Sequence, residues 1–218
     1  MIVIKHGLEA IDRHRTGRSE HLLCEHCEGR ISKWEKYAAD WLYNRALVPA
    51  VESESESGTI YSGIDYEKFR LYCLSVLWRM AESSISFYEG VRLQASDAEL
   101  IRKALMAEDP MDGSFPVCLF RIIGPNGELF PATVQPYQTV SARHTSFHLI
   151  TNGFAHDFWV RGYEHLPYVK ECSLKRDGRL AVPSILYSDY APIQDVITHA
   201  STHWKKDEGP SSDSVKRP

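Results

Sequence analysis

The amino-acid sequence predicts an α+β fold with helices in the first half, antiparallel strands in the second half and a closing helix. Two observations carry this prediction. Apolar residues recur every three or four positions up to about residue 107, and their spacing changes towards two from about residue 117. Helices that precede the strands, rather than alternating with them, favour the α+β class over a doubly wound parallel sheet.

The composition fits a globular chain without a membrane span. Of 218 residues, 43% are hydrophobic and 25% are charged, which is typical of folded domains. No apolar run approaches the roughly 18 to 20 residues that cross a bilayer. The net charge of −4 provides no overall attraction to nucleic acid or to an anionic membrane. The N-terminus lacks the apolar stretch of a signal peptide, so we expect a cytoplasmic protein whose five cysteines are reduced.

Two helices are predicted before residue 84. The first runs from Cys24 to about Arg45 and carries Trp34 and Trp41 on a regularly spaced apolar stripe. The second, over 65–83, starts with an aspartate that can cap its first turn. It is apolar almost all round, which predicts a buried central helix.

An acidic segment of low complexity, VESESESG at 51–58, separates these two helices. Alternating glutamate and serine offer nothing to bury, so the segment is predicted to be a mobile loop. The expected organisation is a unit with a CxxC turn and an amphipathic helix (1–50), an acidic mobile linker (51–64), a main α+β body (65–204) and a disordered tail (205–218).

A third helix is predicted over 97–107, because Ser96 and Glu99 have the spacing of a capping box. Asn-Gly at 126–127 predicts a hairpin after an apolar strand at 117–123. The other predicted elements are strands at 2–5, 132–140, 144–150, 154–160 and 171–182, the last broken by a turn at 177–178, and a helix near 192–204.

Cys24 and Cys27 form the one local motif with chemical content. Two thiols separated by two residues at a turn before a helix can bind one metal ion, and zinc favours sulfur ligands. A tetrahedral site needs two further ligands, which would come from His21, His26, another early histidine or a distant cysteine. The alternative is a pair of reduced thiols, partly buried at a helix N-terminus. Redox dithiols share this spacing but usually follow a strand of a βαβ unit, and no such unit is predicted.

The residues around this motif resemble a group of poorly characterised bacterial HNH-like proteins. LLCEHCE at 22–28 and ISKWEKY at 31–37 are similar to a leucine-rich approach to CxxCE and a helix with a Trp-Glu-Lys-Tyr signature. The similarity continues through DYEKF at 65–69 and LSVLWR at 74–79, to about residue 123. Fuller members also carry an earlier CxxC and a His-x-x-Pro segment, which supply the remaining zinc ligands and the general base of a ββα-metal nuclease. None of the first twenty residues reproduces them.

The resemblance implies a zinc-binding accessory protein that acts on or near nucleic acid, in phage defence or mobile-element biology. It also implies that any catalysis would be metal-dependent phosphodiester hydrolysis, and that the chain is not a competent nuclease on its own. The residues themselves suggest four basic side chains as candidate phosphate contacts. For the three N-terminal arginines the alternative is ordinary solvated charge, and for Arg79 it is a structural ion pair with a glutamate. These contacts are Arg13, Arg15, Arg18 and Arg79.

A second hypothesis is a non-catalytic module that binds a protein partner through aromatic side chains of the strand-rich half. The alternative is that these side chains fill the core beneath the sheet. They are Tyr137, Phe147, Phe154, Phe158, Trp159, Tyr163, Tyr168, Tyr187 and Tyr190.

One pair of histidines and one histidine–aspartate pair invite a metal or acid–base interpretation. His144 and His148 lie four residues apart on a predicted strand, which separates them by about 13 Å, so they are expected to be surface or turn residues rather than ligands of one ion. His156 and Asp157 would face opposite sides of their strand and therefore form no local pair.

Overall fold

The computed structural model of the chain describes residues 2–4, 20, 22–44, 46–130 and 132–190. These residues form four α-helices and a sheet of eight strands. The elements are β1 (Ile2–Ile4), α1 (Glu25–Leu42), β2 (Ala50–Ser55), β3 (Gly58–Ser62), α2 (Tyr66–Glu82), α3 (Ala95–Ala107), β4 (Val117–Ile123), β5 (Ala132–Val140), β6 (Thr145–Thr151), β7 (Phe154–Arg161), α4 (Pro167–Cys172) and β8 (Leu180–Leu186).

The sheet has the strand order β1-β5-β6-β7-β4-β8-β3-β2. The pairs β1–β5 and β4–β8 are parallel, and the other neighbouring strands are antiparallel. The predicted α+β class is therefore confirmed, and the sheet is mostly antiparallel. The predicted division into a helical first half and a strand-rich second half holds only in part, because β2 and β3 lie in the first half. The predicted closing helix and tail lie outside the described residues, as does most of the stretch before α1.

The two faces of the sheet bury separate apolar cores. Side chains alternate between the faces of a strand, so Leu119 and Phe158 pack under α1, α2 and α3, while Phe120 and Trp159 point to the opposite face. The second face is covered in part by α4, which contributes Val169. No helix in the described part of the chain is long and apolar enough to cross a membrane.

Helix α2 forms as predicted, whereas the start of α3 differs. The Asp65 side chain accepts a hydrogen bond from the amide of Lys68 at 3.0 Å and caps α2. Helix α3 begins at Ala95, so Ser96 lies inside its first turn and the predicted capping box is wrong. A tertiary contact explains the earlier start, because Asp97 in that first turn pairs with Arg161 of β7 at 3.0 Å.

The acidic segment is a strand rather than a loop, which corrects the expectation for 51–58. Strand β2 pairs with β3, and this pairing satisfies its backbone hydrogen bonds. The strand therefore forms without burying any of its side chains. Its side chains are exposed. Two of its carboxylates have arginine neighbours, since Arg179 binds Glu52 at 2.7 Å and Arg121 lies 3.9 Å from Glu54.

Two further strand predictions are wrong in part. The first arm of the predicted 171–182 strand is occupied by the end of α4, and only β8 is a strand. The turn at 126–127 forms, but the chain pairs back on β4 only through Leu129 and Phe130. The next strand, β5, pairs with β1 and β6 instead, so the predicted hairpin with β4 is not built.

Candidate functional site

The two cysteines of the CxxC motif stand at the start of α1. Cys24 is the extended residue before the helix and is exposed, and Cys27 in the first turn is half-buried. No side chain caps the helix with an ordinary hydrogen bond. Hydrogen bonds from the amide and thiol of Cys27 lower the pKa of the Cys24 thiol. The Cys24 sulfur in turn raises the pKa of Cys27. Cys24 is therefore the more readily deprotonated of the two thiols, and the deprotonated form is the one that binds metal ions.

The surroundings of this turn supply no further metal ligand within the described residues. The His26 ring lies 3.0 Å from Arg30, which also donates to the carbonyl of Met106 at 2.6 Å and lies 3.5 Å from Glu108. No group of three or more histidine, cysteine or acidic residues in the described part of the chain is placed to hold a metal ion. His21, the other predicted ligand, lies outside that part. Within the described residues, Cys24 and Cys27 are therefore two sulfur groups without further ligands beside them, whereas a tetrahedral zinc site needs four ligands.

The candidate phosphate contacts fall into two groups. Arg13, Arg15 and Arg18 lie outside the described residues. Arg79 of α2 donates to Glu35 of α1 at 2.5 Å and to the carbonyl of Ser75 at 3.2 Å. That arrangement is the structural ion pair raised as the alternative, and it occupies the guanidinium group that a phosphate would use.

A buried polar network, which the sequence did not reveal, crosses strands β6 and β7. The Nδ1 atom of His148 lies 2.8 Å from Asp157, and its Nε2 atom lies 3.0 Å from the hydroxyl of Ser146. Tyr190 donates its hydroxyl to the same carboxylate at 3.2 Å, and the ring of Tyr137 stacks on the imidazole with centroids 4.8 Å apart. His148 is therefore buried, which corrects the expectation of a surface or turn histidine.

The register of one hairpin brings this network together. Asn152 and Gly153 join β6 to β7 with φ values of 49° and 86°, and positive φ at both positions is what a two-residue turn between antiparallel strands requires. Thr151 then pairs with Phe154, and counting outwards places His148 opposite Asp157. The signal that could have found the site is therefore this Asn-Gly pair, which lies between two apolar strands just as 126–127 does.

The hydrogen-bond order of the network is that of a Ser-His-Asp triad, but its burial gives it a structural role. Such a triad acts when the serine oxygen can reach a substrate carbonyl. Ser146 is 1% exposed, and His148 and Asp157 are 8% and 7% exposed. Each of these three groups has a hydrogen-bond partner, so the network fixes the packing of β6 against β7.

His156, next to Asp157 in sequence, lies on the other face of the sheet. It is fully buried between Tyr72 and Phe158, with ring centroids 6.2 Å from each. Neither ring nitrogen makes a hydrogen bond of ordinary geometry. Burial lowers the pKa of His156 to about 4, so the imidazole is neutral at physiological pH.

The aromatic residues of the strand-rich half mainly form core. Tyr168 is the one member of the predicted set that is exposed, at 41%, and it packs edge-on against Trp159. Five members are buried: Phe147, Phe154, Phe158, Trp159 and Tyr190.

No protein-family model, curated protein or solved structure matches this chain.

Proposed function

We propose that this chain is a zinc-binding accessory protein, related to the HNH-like group, that associates with nucleic acid and does not cleave it alone. The observation that carries the proposal is the pairing of Cys24 and Cys27 on the first turn of α1, with a lowered pKa at the exposed thiol. Two cysteine sulfurs at this spacing can supply two of the four ligands of a structural zinc site. The nucleic-acid role and its setting in phage defence or mobile-element biology derive from the resemblance.

The proposal requires two zinc ligands from outside the described residues. His21 and the other early histidines are the candidates within the chain. The environments of three described histidines support the proposal that the chain does not cleave nucleic acid alone. His148 and His156 are buried, and His26 is engaged by Arg30, so none of these three is placed to activate a water molecule.

Zinc content is the direct test. Native and denaturing mass spectrometry of the purified chain should find one zinc ion, and Cys24→Ser combined with Cys27→Ser should remove it. Because structural zinc contributes to folding, the double variant should also unfold at a lower temperature. Cys172→Ser is the matched control, since this half-buried thiol lies in α4, away from the motif, and its variant should keep the metal.

Nucleic-acid association is tested separately by electrophoretic mobility shift with duplex and single-stranded DNA. The zinc-loaded chain should bind at low salt and weaken as salt rises, as expected for phosphate contacts. A chain without zinc would refute the first part of the proposal. A zinc-loaded chain that binds neither form of DNA would refute the second part.

A further inference from the structure

A groove of about 710 Å³ runs between α1 and α2, with β6 as part of its floor. Its volume is in the range of small-molecule sites. Apolar side chains supply most of its walls, among them Leu22, Ile31, Val76, Met80 and Leu149. An occupant therefore needs an apolar body that these side chains can cover.

The charged groups of the groove are mainly acidic. Glu20, Glu28 and Glu35 line it, and Arg79 is the one basic residue among the described residues that line it. Arg79 is engaged by Glu35 at 2.5 Å, so this pair is close to neutral as a unit. Hydrogen bonds from Ser83 and Ser84 lower the pKa of Glu20 and keep it ionised. Among the described residues, the groove therefore has two more carboxylates than basic groups.

At the inner end of the groove, the described side chains add no positive charge. Tyr43, hydrogen-bonded to Tyr72 and Thr151, presents a neutral phenol because burial raises its pKa to about 12. Burial also raises the pKa of Tyr72 well above its ordinary value. The imidazole of His156 behind Tyr72 is neutral as well. The apolar or aromatic body of a ligand can therefore pack against these neutral rings.

We propose that this groove binds a small organic cation, an amine attached to an apolar or aromatic body. The apolar walls cover the body, and the ammonium group lies at the acidic rim formed by Glu20 and Glu28. Charge complementarity selects this ligand over an anion of the same shape, because an anion would have to displace Glu35 from Arg79. The inference concerns a different surface from the zinc motif and does not depend on it.

Three probes of matched shape test the proposal by isothermal titration calorimetry: 3-phenylpropylamine, 3-phenylpropan-1-ol and 3-phenylpropionate. The amine should bind about fivefold more tightly than the alcohol, since one partly exposed ion pair contributes about that factor, and the carboxylate should bind most weakly. Glu28→Gln should reduce amine binding towards that of the alcohol and leave alcohol binding unchanged. Glu67→Gln is the matched control, because Glu67 is also a first-turn glutamate but lies on α2 outside the groove.

A second variant tests the location independently of charge. Ala39→Leu fills part of the groove from α1 and should weaken binding of both the amine and the alcohol, with thermal unfolding confirming that the variant is folded. Methyl chemical shifts of Val76 and Met80 should move when the amine is added. The proposal is overturned if none of the probes binds at millimolar concentration, if the carboxylate binds best, or if Ala39→Leu leaves binding unchanged.

Discussion

His156 makes the stability of this fold depend on pH between the unfolded-state and folded-state pKa values of its side chain. The side chain is fully buried, and burial lowers its pKa from 6.5 to about 4. Because the folded-state pKa lies below the unfolded-state value, the unfolded chain takes up the proton first as the pH falls. The contribution of the neutral imidazole to stability is therefore complete above pH 6.5 and is lost as the pH falls towards 4.

The magnitude follows from the two pKa values. The difference between 6.5 and about 4 corresponds to about 3 kcal/mol in the free energy of unfolding, of which about 2 kcal/mol is lost between pH 7 and pH 5. His156→Phe removes this dependence, and a phenyl ring suits a site bounded by Tyr72 and Phe158. The variant should therefore gain about 2 kcal/mol relative to the wild type when the pH is lowered from 7 to 5.

Urea unfolding followed by circular dichroism at the two pH values measures the effect. Other groups that titrate between pH 7 and pH 5 act equally on the wild type and the variant, so the comparison isolates His156. Ile101→Val is the control, because it disturbs the same core from α3 without a titratable group and should destabilise the protein equally at both pH values. If His156→Phe and the wild type lose the same stability between pH 7 and pH 5, the assignment of a neutral, buried imidazole is refuted.

Three other perturbations have expected outcomes. Asp157→Ala should lower the free energy of unfolding by about 3 kcal/mol in urea, because it leaves buried imidazole and phenol donors unpaired, and Asp157→Asn should cost less because it keeps an acceptor. A smaller loss for alanine than for asparagine would contradict this. Arg70→Met should cost about 3 kcal/mol and speed amide hydrogen exchange over 110–115, whose carbonyls the buried guanidinium binds, and unchanged exchange would count against that role. Glu52→Val with Glu54→Val should cause self-association in sedimentation velocity, since charge protects the β2 edge, and a monomeric variant would exclude this protection.

The helices could be predicted from sequence because their signals are local. In α2, an apolar pattern and a capping aspartate agree, and the structure confirms both. The start of α3 could not be placed in this way, because Asp97 is held by Arg161 from a distant strand. The same reasoning applies to 51–58, where no local property of alternating glutamate and serine indicates a strand. Its conformation is set by pairing with β3, which is in turn held by β8.

The candidate sites also differ in whether local sequence or tertiary packing forms them. The CxxC motif is local, so Cys24 and Cys27 could be found in the sequence, and the structure adds only their exposure and pKa directions. The ion pair of Arg79 with Glu35 joins two helices and could be raised only as an alternative. The groove between α1 and α2 could not be predicted at all, because it depends on how the two helices and β6 pack.

The polar network could be predicted from sequence less directly than the CxxC motif but more directly than the groove, because a local turn sets the register that makes the contact. A two-residue turn at Asn152 and Gly153 determines the register of β6 and β7, and that register alone places His148 beside Asp157. A slip of one residue would turn Asp157 towards the apolar core under α2 and would expose His156 to the opposite face. Such a slip would bury a carboxylate without its hydrogen-bond partners, at a cost of several kcal/mol. The two adjacent titratable residues therefore oppose the same error from opposite faces of the strand, and the turn and the network favour a single register.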